Sequence, residues 1–347
     1  MKPSAAAGPA ARRDLRVDTM RGLACLLLVA YHTIGDDPAR GLHAAGGALR
    51  WLADSFAYLR MPLFTFLSGY VYAMRPARRG DLAPFLRGKA RRLLLPLVCV
   101  GLIHHFVQAA TTGANAHPDG GWLFLLYPYE HYWYLQALFL IFLFMYAVEA
   151  AGLGARLPAL WALAAGSLLL APWVQVAGDP FSVENAAFLL PYFLLGVLLR
   201  RSPLLADPAR LPRGFAAAAG LAVLAFAAWQ QAGMAGWPVP PLSPDRLPGQ
   251  IYSALCVALL YALAWSWRPL ARVGGHSYAI YLYHVFGTAG SRIALGRLGV
   301  QHTGVLFAAG MLAGVLLPVA LERVLDRWPA TRACLLGKAW RGPGGAP

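Results

Sequence analysis

Ten apolar runs, each about the length needed to cross a bilayer, constrain the fold of this chain more than any other feature. A transmembrane helix needs about 20 mostly apolar residues, because the hydrocarbon core is about 30 Å thick. The runs use up most of the 347 residues and leave no room for a separate soluble domain. The sequence therefore predicts one all-α, polytopic membrane domain over 1–347, with tails at about 1–19 and 325–347. The predicted spans are 20–36, 55–75, 93–112, 131–151, 159–177, 186–200, 214–233, 250–268, 276–293 and 304–324.

The composition supports a membrane protein. Hydrophobic residues make up 59% of the chain and charged residues 13%, whereas a soluble domain carries about 25% charged residues. These values exclude a disordered chain and most soluble enzyme folds. The four cysteines are scattered, without a CxxC pair or zinc-ligand spacing, so we expect no disulfide and no metal site.

The basic residues are distributed unevenly along the predicted spans. Lysine and arginine number 30 against 15 acidic residues, and 24 of those 30 fall in segments on one side of the membrane. Because cytoplasmic loops retain positive charge, both termini are predicted to be cytoplasmic. This topology accounts for the net charge of +15, so no nucleic-acid partner is expected. Frequent Ala, Arg, Gly and Pro indicate a bacterium with a GC-rich genome, and we expect the chain to lie in its inner membrane.

The first span carries the clearest pair of functional candidates. Arg21 and His32 are eleven residues apart, which places them within about 20° of one helix face and about 16 Å apart along the axis. Asp18 lies three residues before Arg21 and is expected to pair with it. The pair would set an arginine at the membrane surface and a histidine near the bilayer centre.

A long donor with phosphates at one end and a reactive group at the other would fit this spacing. Arginine binds phosphate well, and histidine acts as a general base near neutral pH. An acyl-coenzyme A thioester has that shape. From the residues alone, the alternative stays open that His32 is a buried structural histidine and Arg21 an interfacial anchor.

Six segments, in order along the chain, resemble the membrane-bound acyltransferase-3 family. The hallmark of that family is an arginine, ten residues and a histidine on the first helix, here Arg21 and His32. The other segments are similar to its second-helix PLFFFLSGY, Arg-rich, WYL, mid-chain and SYxxYLxH motifs. The six segments are 13–32, 61–70 (MPLFTFLSGY), 85–96 (FLRGKARRLLLP), 131–135 (HYWYL), 191–196 (PYFLLG) and 275–284 (GHSYAIYLYH).

The resemblance implies transfer of an acyl group, most often acetyl, from cytosolic acyl-coenzyme A to a hydroxyl of an envelope saccharide or lipid-linked glycan. It implies Arg21 and His32 as the catalytic pair, with His32 either deprotonating the acceptor or carrying the acyl group. Arg87, Arg91 and Arg92 are the candidates for the donor phosphates, although positive-inside charge would also explain them. No permanently bound cofactor is expected.

Further candidates are assigned to the acceptor: some lie near the predicted outer side, where an acceptor would arrive, while Tyr278 and His284 lie within span nine. Each has a structural alternative: an interfacial cap, an aromatic belt, a packed polar contact, or an arginine that extends to the membrane surface. Near the opposite side, Glu149 is expected to pair with Arg156. The predicted substrate-binding residues are Arg60, Glu130, His131, Trp133, Tyr278 and His284.

The sequence alone leaves two other classes of function open. A proton-coupled transporter or flippase of envelope sugars would use His32 for proton coupling, but the sequence shows no pseudo-repeat. A structural subunit of a polysaccharide synthase would tolerate loss of both Arg21 and His32.

Overall fold

The computed structural model describes residues 14–112 and 121–340, which form helices and loops with no strand in those ranges. Thirteen α-helices lie in the described part of the chain. They are α1 (Leu15–Ile34), α2 (Gly47–Ser55), α3 (Arg60–Met74), α4 (Leu82–Ala110), α5 (Trp133–Ala150), α6 (Leu157–Leu170), α7 (Val183–Arg201), α8 (Arg213–Met234), α9 (Leu247–Ala262), α10 (Arg268–Gly275), α11 (Ser277–Arg297), α12 (Thr303–Leu325) and α13 (Pro329–Leu336).

The prediction of an all-α, polytopic membrane fold is confirmed. Each of the ten apolar runs overlaps one of the long helices. By length and hydropathy, six described segments could cross a membrane, while two further apolar helices are shorter. The number of ten spans stays a prediction. The six segments are Leu15–Ile34, Leu82–Ala110, Leu123–Ala150, Pro180–Arg201, Gly214–Met234 and Thr303–Leu325.

Three short helices were not predicted from the sequence. Helices α2, α10 and α13 have nine, eight and eight residues, too few for the length expected of a span. Helix α13 falls in the predicted C-terminal tail, yet it packs against α4 and α12. That part of the tail is therefore folded onto the bundle. Residues 1–13 and 341–347 of the predicted tails lie outside the described residues.

The core of the bundle is rich in aromatic side chains. Phe66, Tyr192 and Phe193 are fully buried between α3 and α7, and Tyr132, just before α5, is fully buried with its hydroxyl donating a hydrogen bond to the carbonyl of Leu282 in α11. Helix α8, in contrast, leaves many apolar side chains exposed, as expected for a helix that faces lipid.

An ion pair joins the ends of α5 and α7. Glu149 lies 2.5 Å from the Nη2 atom of Arg201. The predicted pairing of Glu149 with Arg156 is therefore wrong, because α7 brings an arginine beside Glu149 that is distant in sequence.

Helices α3 and α7 approach each other closely at two glycines. A Cβ atom at Gly69 would overlap the carbonyl of Phe193, and one at Gly196 would overlap the carbonyl of Phe66. Small residues permit such approaches between membrane helices, where packing and interhelical hydrogen bonds replace the hydrophobic driving force.

Replacing Gly69 by valine is expected to destabilise the bundle by about 1–3 kcal/mol, because the added atoms would force α3 away from α7. The measurement is the thermal unfolding midpoint of purified protein in detergent. Gly88→Ala is the control, since open space surrounds that position in α4. Equal midpoints for Gly69→Val and Gly88→Ala would contradict the described packing.

Candidate active site

Helix α1 carries both members of the predicted catalytic pair. Its N-cap is Asp14, whose side chain accepts a hydrogen bond from the backbone N–H of Arg16. One turn later the Nη1 atom of Arg21 lies 3.0 Å from Asp18, so the expected pairing of those two residues is confirmed. Arg21 and His32 each line a cavity, and the two cavities are different.

The Arg21 cavity, about 560 Å³ in volume, is strongly basic. One carboxylate, that of Glu322, faces five cationic side chains among the residues that line it. The ammonium of Lys89 lies 3.4 Å above the Phe142 ring, and the other walls include further aromatic rings. The cavity therefore offers positive charge beside apolar surface. The five cationic residues are Arg21, Arg75, Lys89, Arg92 and Lys338.

The three arginines predicted to bind donor phosphates are placed differently. Arg92 lines the Arg21 cavity, and its guanidinium lies 3.9 Å above the Tyr278 ring. Arg87 and Arg91 lie on the same helix, α4, but are exposed and do not line this cavity. Because successive residues of a helix point in different directions, only Arg92 of these three arginines faces the cavity. Of the three, Arg92 is therefore the one placed to bind an anion there.

Tyr278 lies at the Arg21 cavity rather than beside His284. Its hydroxyl donates a hydrogen bond to the backbone carbonyl of Arg92. Tyr278 therefore helps to hold the backbone of Arg92 in place. Its binding to an acceptor stays a prediction.

Four histidine rings from different parts of the chain form a cluster near the middle of the bundle. The centroid of the His32 ring is 4.9 Å from that of His284 and 5.9 Å from that of His131. The His131 ring lies 4.7 Å from His284 and 6.0 Å from His104. Within the described ranges, no group of three His, Cys, Asp or Glu residues could hold a metal ion.

Hydrogen bonds fix the tautomer of His284. Its Nδ1 atom lies 2.9 Å from the carbonyl oxygen of Ile280 and 3.0 Å from that of Tyr281. A carbonyl oxygen only accepts, so Nδ1 carries the proton and Nε2 has a lone pair. That Nε2 atom is buried and has no hydrogen-bond partner among the described residues. The cluster thus contains an unpaired acceptor on the ring next to His32.

The His32 cavity, about 170 Å³ in volume, lies toward the C-terminal end of α1 and is lined by ten polar or charged residues together with apolar ones such as Phe286 and Ile293. Glu130 lines it and accepts a hydrogen bond of 3.0 Å from the amide of Gln108, which also lines it. His131 follows Glu130 in the chain but is buried in the histidine cluster. His32, His104 and Glu130 therefore face one space that could hold a polar ligand.

Arg60 and Trp133 lie near the histidine cluster but line neither of these two cavities. The Arg60 guanidinium lies 3.3 Å above the ring of Tyr31, the neighbour of His32. Its Nη1 atom is buried without a hydrogen-bond partner in the described ranges, so this arginine does not extend to the surface. Trp133, half-buried at the first turn of α5, packs edge-on against Tyr134.

A short chain of aromatic rings separates the two cavities. Tyr281 lines the Arg21 cavity, and its hydroxyl donates a hydrogen bond to the backbone carbonyl of His131. The ring of His131 in turn lies beside His32, which lines the His32 cavity. The histidine cluster therefore lies between a basic, partly aromatic cavity and a polar one.

A family model described as an acyltransferase domain, that of the acyltransferase-3 family, matches residues 14–323 of this chain. The chain belongs to the acyltransferase-3 family. It is thus a membrane acyltransferase, as the resemblance of its motifs implied. No curated protein and no solved structure matches the chain.

Several residues at the two cavities were not singled out from the sequence. Lys89 lies one helical turn before Arg92, so an i, i+3 comparison on α4 would have paired them. Arg75 and Lys338 reach the Arg21 cavity from loops. His104 reaches the cluster because of the rotational orientation of α4. No sequence pattern indicates these placements.

Proposed function

We propose that this acyltransferase moves an acyl group, most often acetyl, from cytosolic acyl-coenzyme A to a hydroxyl of a cell-envelope saccharide. One observation carries the proposal: the histidine cluster lies between a cavity with five cationic side chains and a second, polar cavity. The first suits a phosphate-bearing donor and the second a hydroxyl-bearing acceptor.

The Arg21 cavity supports a donor with charge at one end and an uncharged arm. Arg75, Lys89 and Arg92 form no ion pair with a carboxylate in the described residues, so their charge is available to phosphate groups. Phe64, Tyr134 and Tyr281 line the same cavity and offer apolar surface to the arm, whose thioester end is proposed to pass Tyr281 and reach the histidine cluster between the two cavities.

His32 is proposed as the general base for the acceptor hydroxyl. Its imidazole takes the hydroxyl proton while the oxygen forms a bond to the thioester carbonyl carbon. The tetrahedral intermediate then collapses, the carbon–sulfur bond breaks, and the thiolate receives the proton from His32. An ester and a free thiol result. The free Nε2 of His284 would accept a hydrogen bond from protonated His32 and stabilise it.

The acceptor is proposed to bind in the His32 cavity. Glu130 and Gln108 offer hydrogen-bonding groups of the kind that bind sugar hydroxyls. Arg60 does not line this cavity, but it lies close to the cluster through Tyr31, and its buried Nη1 atom would favour negative charge on a part of the acceptor that extends beyond the cavity. The His131 ring lies beside both the His32 ring and the His284 ring. Trp133 would take part only through a saccharide that extends beyond this cavity.

The chain is proposed to lie in a bacterial inner membrane with both termini in the cytoplasm. The asymmetry of 24 among 30 lysines and arginines supports this orientation. In that orientation the Arg21 cavity faces the cytosol, where acyl-coenzyme A is made, and the His32 cavity faces the envelope.

The proposal is tested by expressing the chain in a bacterial host whose envelope glycans lack acyl esters. We expect base-labile acetyl esters on purified glycan, detected by mass spectrometry, with the wild type but not with His32→Ala. Unmodified glycan from both strains, together with uptake of labelled sugar into vesicles that contain the protein, would instead support the transporter.

A further inference from the structure

The C-terminal segment of the chain lies outside the family match yet forms part of the Arg21 cavity. The match ends at residue 323, whereas Lys338 and Leu336 both line the cavity. Leu336 is the last residue of helix α13 and Lys338 follows it, and α13 packs against α4 and α12.

Helix α13 is fixed to the bundle through its last turn. Leu336 is only 1% exposed, and its backbone carbonyl accepts a hydrogen bond of 3.3 Å from the Nη1 atom of Arg92. The carbonyl of Leu335 accepts one of 2.8 Å from the hydroxyl of Tyr283. Gly337 then adopts a left-handed conformation, with φ of 60°, and turns the chain over the backbone of Arg92. Lys338 is thus placed at a defined position on the cavity wall.

Lys338 lies where two spaces meet. Its ammonium is 2.9 Å from Glu322 and 3.2 Å from Asp326. A second space of about 370 Å³, lined by Arg272 and Arg323 among others, shares Lys338 and Glu322 with the Arg21 cavity. The ion pair of Lys338 with Glu322 therefore stands between the two spaces.

We propose that Lys338 binds a phosphate of the acyl-coenzyme A donor, so that the C-terminal segment completes the donor site. This inference rests on the proposed function. The ammonium exchanges its carboxylate partners for the donor phosphate, and this exchange joins the two spaces. The nucleotide end of the donor then extends toward Arg272 and Arg323, while the pantetheine arm follows the aromatic wall of the Arg21 cavity.

The test compares two variants that break the same ion pair from opposite sides. Lys338→Gln removes the ammonium, and we expect the KM for acetyl-coenzyme A to rise about tenfold with little change in kcat. Glu322→Gln leaves the ammonium and removes a carboxylate that repels phosphate, so KM is expected to fall. With S-acetylpantetheine, which carries no phosphate, Lys338→Gln should match the wild type. Lys338→Arg should restore most of the affinity.

Equal increases in KM for both glutamine variants, or an effect of Lys338→Gln on S-acetylpantetheine, would assign Lys338 a structural role and overturn the inference. Binding of adenosine 3′,5′-bisphosphate, measured by calorimetry, gives a readout without turnover: wild type and Lys338→Arg should bind it more tightly than Lys338→Gln. A wild type that consumes acetyl-coenzyme A while Lys338→Gln is unchanged overturns only this inference. If the wild type consumes no acetyl-coenzyme A, the proposed function itself is wrong.

Discussion

Replacing His32 by alanine is expected to lower kcat for acyl transfer by about 100-fold to 10,000-fold, the range that a general base contributes. The reason is geometric: His32 belongs to the histidine cluster, lines the polar cavity where the acceptor is proposed to bind, and lies on the same helix as Arg21. The measurement is the initial rate of ester formation by purified protein. KM for acetyl-coenzyme A should change little, because His32 does not line the Arg21 cavity.

A histidine outside the cluster provides the control for this substitution. His43 is exposed on the loop after α1 and has a positive φ of 52°, which asparagine tolerates. His43→Asn should therefore retain the wild-type rate. Comparable rates for His32→Ala and the wild type, at matched folding, would remove His32 from the chemistry.

Replacing Arg92 by glutamine is expected to raise the KM for acetyl-coenzyme A by roughly 10-fold to 100-fold. Hydrogen bonds to charged groups contribute about 1.5–3 kcal/mol, and each 1.4 kcal/mol is tenfold in affinity. The guanidinium lines the Arg21 cavity and has no carboxylate partner among the described residues. The measurement is steady-state kinetics over a range of donor concentrations.

Arg91→Gln is the matched control, since it removes the same charge from the adjacent position of the same helix. Arg91 is exposed and does not line the cavity, so the KM of the Arg91→Gln variant for acetyl-coenzyme A should stay within about twofold of the wild type. If both variants raise KM alike, the basic stretch acts through its overall charge rather than through one placed side chain.

The long helices could be predicted from the sequence because apolar length is a local property. Each run of about 20 apolar residues encodes its own helix, since a bilayer requires every backbone hydrogen bond to be satisfied within the segment. Helices α2, α10 and α13 escaped prediction because they are short, and their positions depend on tertiary contacts such as that of Leu336 with Arg92.

The site could be predicted only where its members share one helix. The spacing of Arg21 and His32 follows from helix geometry, and the Asp18–Arg21 pair forms as expected. The histidine cluster instead depends on how separate helices pack, and no local pattern shows that His104 meets His131. Likewise, the sequence alone does not distinguish Arg92 from the adjacent Arg91. Only the orientation of α4 shows that Arg92 lines the cavity and Arg91 does not.

The most direct test of the account is whether thiol release and ester formation occur together on the purified protein. Acetyl-coenzyme A is supplied with a bacterial envelope glycan extract, and free thiol and glycan-bound acetyl are measured in the same samples. We predict slow thiol release without glycan, faster release with it, and one ester formed for each additional thiol. No thiol release with or without glycan, from folded protein, would contradict acyl transfer from coenzyme A by this chain.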